Sequence, residues 1–282
     1  MKYDYIIVGA GSAGCVIANR LSEDPSTQVL LIEAGGSDRR FFIQMPIGYG
    51  VTYHQKAVNW MYMTEPSPDA DNKPSYWPRG KVMGGSSSIN AMVYVRGNSR
   101  DFDQWSEAGN PGWSYSDVLP YFKKMESWQN GPDDYRGGDG PLNVSEVSRQ
   151  LHPLCQNFLS AAQEIGIVLN KDMNGATQEG VGNYQITTHK GQRMSSSRAY
   201  LWPIKGRTNL TIIKNAQATK ILTQDKKAFG IEYKKSGKIH QAIAKCEVIL
   251  SAGSINTPHL LQLSGIGPKA ALRKASVPLV HD

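Results

Sequence analysis

Gly9, Gly11 and Gly14 stand in G-x-G-x-x-G spacing. They lie between the apolar tetrapeptide Tyr5-Ile6-Ile7-Val8 and a segment that sets Ala13, Ile17 and Leu21 on one side of a helix. Each glycine has a separate task there. Gly9 permits a tight turn after a strand, Gly11 lets the backbone approach a pyrophosphate, and Gly14 lets helix and strand pack closely. The N–H groups that open the helix, around Ser12 and Ala13, then face the phosphates. Glu33 ends the next apolar run, Val29-Leu30-Leu31-Ile32, 19 residues after Gly14, and Ala34 follows it. A carboxylate at that place accepts both hydroxyls of an adenosine ribose. It repels a 2′-phosphate, which disfavours NADP, although Arg39 and Arg40 nearby keep that nucleotide from exclusion. A ligand-free glycine turn explains less, because strand, glycines, helix and acid all agree.

Two further stretches carry chemistry. Residues 79–97 read Arg79-Gly-Lys81-Val82-Met-Gly84-Gly85-Ser86-Ser-Ser-Ile89-Asn90-Ala91-Met92-Val93-Tyr-Val95-Arg-Gly97. Consecutive Gly-Gly-Ser amides can form an anion nest, and Arg79 and Lys81 suit a phosphate. Ile89, Met92, Val93 and Val95 make the stretch too apolar for a solvent loop. It fits a ligand with a charged middle and a flat apolar end. The third stretch runs from Glu247-Val-Ile-Leu250 through Ser251-Ala252-Gly253 to Gly267. Seen alone, it could be an ordinary strand-to-helix turn.

These residues need elements to position them. Residues 5–33 read as strand, helix (Gly14 to Leu21) and strand, a βαβ unit with a right-handed crossover. Residues 35–78, with Pro46, Pro66, Pro68, Pro74 and Pro78, read as a loop-rich excursion, and long ordered loops usually cover something. A helical pair is expected between Asp101 and Trp128, an exposed turn-rich stretch over 130–141, and a helix at about 152–165. After residue 208 the hydrophobic period drops toward two, giving short strands at 210–213, 218–222, 228–233 and 239–244. Residues 247–250 read as a further buried strand, and a helix from Pro258 to Leu263 stops at Gly265.

Composition narrows the classes. With 40% hydrophobic and 20% charged residues over 282 positions, a disordered chain is excluded. The 28 glycines follow no G-X-Y period, so a collagen-like chain is excluded too. The net charge of +7 is dispersed, and without a basic stripe no nucleic-acid partner is expected. Cys15, Cys155 and Cys246 are odd in number and form no CxxC pair, so neither a zinc site nor a disulfide framework is expected. We expect them reduced and packed, as in a cytoplasmic protein. No apolar run approaches the ~20 residues of a membrane span, and Tyr5–Val8 is too short for a signal-peptide core. A cytoplasmic location follows, with room for peripheral association at the inner face of a membrane.

The stretches 80–94 and 253–267, with the nucleotide motif in register before them, resemble the two signatures of the glucose-methanol-choline (GMC) flavin oxidoreductases. The resemblance is to the N-terminal portion of that family and nearest its choline and alcohol dehydrogenase branch; it extends over essentially all 282 residues, Asn59-Trp60 and Arg193 to Leu201 included. It implies an α/β, Rossmann-like FAD-binding domain with an incomplete second, substrate-side region. The FAD domain is expected to come from about 1–35, 77–110 and 205–282, with 36–76 and 111–204 as lid or substrate-side insertions. The cofactor implied is FAD. Gly9, Gly11, Ser12, Ala13 and Gly14 would hold its pyrophosphate, and Glu33 with Ala34 its adenosine ribose. Gly84, Gly85 and Ser86 would meet the pyrophosphate and ribityl chain. Asn90, Ala91, Met92 and Val93 would run along the flavin edge, and Ala218 would meet the adenine. Trp60, Arg79, Val82, Ser251, Ala252 and Gly253 complete the expected cofactor set. Some relatives attach flavin covalently through a histidine where this chain has Ile89, so noncovalent FAD is implied.

The reaction implied is hydride transfer from a primary alcohol, choline-like, aliphatic or aromatic, to flavin N5, with a dye, quinone or oxygen as acceptor. The hydroxyl proton must leave, and a positioned base of near-neutral pKa supplies about 10²–10⁴-fold. In the family a histidine, with a second histidine or an asparagine, does this near the C-terminus of a longer chain. None of the six histidines here (54, 152, 189, 240, 259 and 281) matches it, so no catalytic residue is assigned up to Asp282. The competing expectation is a catalytically incomplete FAD-binding fragment, or half of a split enzyme completed by a C-terminal segment or a second copy. A nicotinamide-dependent reductase ranks below both.

Overall fold

The computed structural model describes residues 2–282. The chain divides into two compact units, Met1–Asn90 with Ser195–Asp282, and Ala91–Met194. The first is built on a six-stranded sheet whose strands are β1 (Lys2–Val8), β2 (Val29–Ile32), β3 (Leu210–Ile213), β4 (Ala216–Gln224), β5 (Lys227–Lys235) and β6 (Lys238–Leu250). Their order is β3-β2-β1-β6-β5-β4. The first four are parallel, and β6, β5 and β4 form an antiparallel meander.

Register explains why these strands position a site. Val8 pairs with Ile32 and with Leu250, and Ile32 pairs with Ile213. All four parallel strands therefore end together. The chain runs outward from β1 to β2 to β3 and later returns on β1's other side as β6. The order reverses beside β1, and in open α/β sheets ligands bind outside the carboxyl ends of strands at such a switch point. Continuous apolar sequence is what strands covered on both faces require, and Ile6, Ile7, Val29, Leu30 and Leu31 are fully buried. The Ser12–Leu21 helix packs on β1 and β2, and the Gly253–Leu263 helix packs on β4.

Several boundaries depart from the sequence reading. The first helix opens at Ser12 and the late one at Gly253, not at Gly14 and Pro258. Pro258 therefore stands inside the late helix, not at its start, and gives up one hydrogen bond to the carbonyl four residues before it. Residues 239–244 and 247–250 form one strand of 13 residues, not two. Its polar middle, Lys245-Cys246-Glu247, is exposed and lies where the strand passes from pairing with β5 to pairing with β1 along its length. The loop-rich excursion contains helical turns at Phe41–Gln44, Pro46–Gly48 and Tyr49–Thr52, and a hairpin of Tyr62–Met63 with Tyr76–Trp77. A π-helical turn at Ser197–Leu201 and a short helix at Lys269–Lys274 were not anticipated. Of the cysteines expected to be packed, Cys15 is buried, Cys155 half-buried and Cys246 exposed.

The second unit contains helices Ser99–Glu107, Tyr115–Met125 and Leu154–Glu164. The middle one starts in a capping box of Ser114 and Asp117. The expected helical pair ends at Met125, because Glu126–Trp128 turns into a strand paired with Leu142–Val144. The stretch 130–141, read as exposed, holds the fully buried Arg136. Its guanidinium donates to Glu126 at 2.5 Å and to Asp172 at 2.7 Å, and Arg96 donates to Glu126 at 2.7 Å. Buried charges of this kind persist only when paired and hydrogen-bonded.

Candidate nucleotide-binding site

The switch point of the first unit opens into a cleft of about 720 Å³, within the usual range for small-molecule sites of roughly 300–1,000 Å³. Its floor is the join of β1 and β6. Ser251 Oγ donates to the carbonyls of Val8 (3.1 Å) and Gly9 (2.8 Å), which ties the two strand ends together. Gly9 sits at φ +99°, and a Cβ there would meet the Ser251 carbonyl oxygen at 2.7 Å. A second close approach joins the two glycine-rich turns: a Cβ on Gly85 (φ +55°) would stand 2.7 Å from Gly11 Cα. By contrast, a Cβ on Gly11 would find no protein atom nearer than 3.8 Å. Its hydrogen faces the cleft.

Two helices start at this cleft. Neither the Ser12–Leu21 helix nor the Gly253–Leu263 helix has a side-chain cap or an acidic residue in its first turn. Helix N-termini carry unsatisfied N–H groups and partial positive charge, and together these suit an anion. Glu33 stands at the end of β2. Its carboxylate accepts from the N–H groups of Ala10 (2.9 Å) and Gly35 (2.8 Å) while lining the cleft. Burial pushes its pKa up to about 7, although both N–H groups and Lys81 favour the charged form. An unprotonated carboxylate here needs further donors, and vicinal ribose hydroxyls are donors of the right kind.

Of the expected residues, Gly9, Gly11, Ser12, Ala13, Glu33, Ala34, Trp60, Arg79, Gly85, Ser86, Ala218, Ser251, Ala252 and Gly253 all line the cleft. Gly14, Val82 and Gly84 are buried behind it as supports. A Cβ on Gly14 would meet the Gly9 carbonyl oxygen at 2.0 Å, Val82 packs with Ile43, Val58 and Ile89, and the Gly84 N–H donates to the Ala10 carbonyl at 2.7 Å. Asn90 ends the first segment of this unit, and Ala91, Met92 and Val93 belong to the second unit. There Met92 holds φ +63°, and its carbonyl accepts from Thr187 N–H at 2.9 Å. Sequence reasoning missed Tyr62, Gln217, Asn256 and His259, which also line the cleft. The alternation Trp60-x-Tyr62 was the available signal for the first. These features fit the ADP portion of a dinucleotide: a glycine turn against two uncapped helix starts, close backbone approaches that leave no room for a Cβ, and a buried carboxylate at the end of the neighbouring strand.

A family model described as GMC oxidoreductase matches residues 3–279. The chain belongs to the GMC oxidoreductase family. Its first unit has the fold of the family's FAD-binding domain. This GMC chain is 50% identical over 281 residues to an oxygen-dependent choline dehydrogenase of Photobacterium profundum, covering 99% of this chain and 50% of that protein. It is 49% identical over 284 residues to an alcohol dehydrogenase [acceptor] of Pseudomonas putida, covering 99% and 51%. Among solved structures, pyridoxine 4-oxidase from Mesorbium loti superposes with a TM-score of 0.96 at 32% identity, over 99% of this chain and 55% of that one. The chain thus spans about half the length of the curated relatives it matches. Among the described residues no helix is long and apolar enough to cross a membrane.

Proposed function

We propose that the cleft holds the ADP half of noncovalently bound FAD and that the chain belongs to an oxidoreductase acting on the CH–OH group of a primary alcohol, choline-like, aliphatic or aromatic. The observation that carries the reading is the meeting of Gly11, Gly85 and Glu33 at the carboxyl ends of β1 and β2, inside a chain of this family. When bound, FAD accepts a hydride from the alcohol carbon and passes electrons to a dye, quinone or oxygen. The chain's own residues hold and orient it. The amides around Ser12 and Ala13 would hold the pyrophosphate, Glu33 would accept hydrogen bonds from the ribose hydroxyls, and Ala218 would meet the adenine. Ile89, at the position of covalent attachment in some relatives, is an alkyl side chain packed among Ile43, Val58 and Val82, which supports a noncovalent mode. Residues 36–76 and 111–204 are assigned to the substrate side, with Asn90 to Val93 along the flavin edge.

The histidines favour a second reading, in which the base that removes the alcohol proton is none of the six. His54 stacks on Tyr76 and His240 on Tyr233, and His259 alone of the six lines the cleft. Anaerobic mixing of the FAD-loaded chain with choline or primary alcohols separates the two. Loss of the flavin's visible absorbance with formation of the aldehyde supports an active unit. Full FAD occupancy with no bleaching by any alcohol supports the reading in which another segment or copy must supply the base.

A further inference from the structure

We propose that Tyr62 and Asn256 form a clasp across the cleft that sets how fast the bound dinucleotide leaves; the proposal rests on the assignment of this cleft to FAD. The Tyr62 hydroxyl donates to Asn256 Oδ1 at 2.6 Å, joining segments 194 residues apart. Both residues line the cleft. Each is delivered by a firm support. Asn256 lies in the first turn of the Gly253–Leu263 helix, which packs on β4. Tyr62 is on the hairpin with Tyr76–Trp77, and its ring lies parallel to Trp60, 5.9 Å away at 6°. Lys81 Nζ sits 4.4 Å from the Trp60 ring centroid, a cation–π contact that holds the wall from its other member.

The backbone before Tyr62 is held in tension. Met61 has φ +56°, a left-handed conformation that is costly for a non-glycine residue and persists only when neighbours enforce it. Asn59 is the enforcing neighbour. Its Oδ1 accepts the N–H groups of Met61 and Arg79 at 2.9 Å, and its amide donates to the Tyr53 carbonyl at 2.7 Å. This strained turn aims Tyr62 at the helix that also presents an uncapped N-terminus to the cleft. A hydroxyl–amide bond between two residues that line the cleft joins its walls, and in the proposed clasp it opens as a dinucleotide-sized ligand departs, so its strength enters the exit rate.

The test is stopped-flow release of FAD from the 282-residue chain, followed by recovery of flavin fluorescence after mixing with excess ADP. Tyr62→Phe keeps the ring on Trp60 and removes the donor; Asn256→Ala removes the acceptor. Each is expected to speed release about 5- to 10-fold. The double variant should be no faster than the singles; association should speed by a similar factor, so that the equilibrium dissociation constant hardly moves, and ligand-free stability should fall by the same fold-change, about 1 kcal/mol. Unchanged release in Tyr62→Phe, or effects that multiply in the double variant, overturns the clasp. If Asn256→Ala does not fold, Tyr62→Phe decides alone. Absence of saturable FAD uptake by the parent chain overturns the cleft assignment and the clasp with it, whereas uptake with unaltered release overturns the clasp only.

Discussion

Glu33 and the glycines carry the account at the scale of single residues. The Glu33 carboxyl is raised by burial from 4.5 to about 7. A raised carboxyl favours the protonated form in the folded state. Its contribution to stability is therefore full below 4.5 and is lost as pH rises through about 7. Ribose hydroxyls donate to the ionised form, so nucleotide binding works in the opposite direction: affinity should rise as pH passes upward through about 7, measured by fluorescence titration between pH 5.5 and 8.5. Glu33→Gln should flatten that profile and weaken binding about 10- to 100-fold, since hydrogen bonds to a charged group are the ones lost. The glycines give a paired prediction. Gly11→Ala should fold and melt like the parent yet bind FAD poorly, because its methyl enters the cleft. Gly14→Ala should lose about 1–3 kcal/mol of stability, because its Cβ meets the Gly9 carbonyl oxygen; urea denaturation separates the two. These residues were legible in sequence because their spacing is local. Tyr62 and Asn256 were not, since a bond across 194 residues leaves no periodic mark.

At the scale of elements, strand ends and helix starts place the chemistry. β1, β2 and β6 end level, so Gly9, Glu33 and Ser251 reach one crevice from three distant stretches. The βαβ unit was readable because each strand is a short apolar run next to a glycine signal. The polar middle of β6 breaks its apolar run and makes one strand look like two in sequence, and its two successive partners explain why it continues. The buried ionic cluster of the second unit was invisible for a related reason. Arg136 sits in a polar, turn-rich stretch, and its partners Glu126 and Asp172 lie 10 and 36 residues away. That cluster predicts a large local cost. Glu126→Ala should leave two buried guanidinium groups short of a partner and destabilise the second unit by about 3–5 kcal/mol, read as an early transition in chemical denaturation. An exposed control, Glu23→Ala, removes one surface pair and should cost under about 1 kcal/mol.

At the scale of the whole molecule, a GMC chain that spans about half the length of its matched curated relatives lines the cleft proposed for the nucleotide with residues of its first unit. Stability should then respond to the cofactor by mass action. FAD at 100 times its dissociation constant should add about 2.7 kcal/mol to unfolding, seen as a concentration-dependent rise in melting temperature that Gly11→Ala abolishes. The claim that the cleft recognises the ADP half is tested most directly by equilibrium titration of the chain with FAD, with ADP and FMN as competitors. One FAD per chain is expected, displaced by ADP and hardly by FMN. FMN displacing FAD as well as ADP does, or no saturable FAD binding, would contradict it.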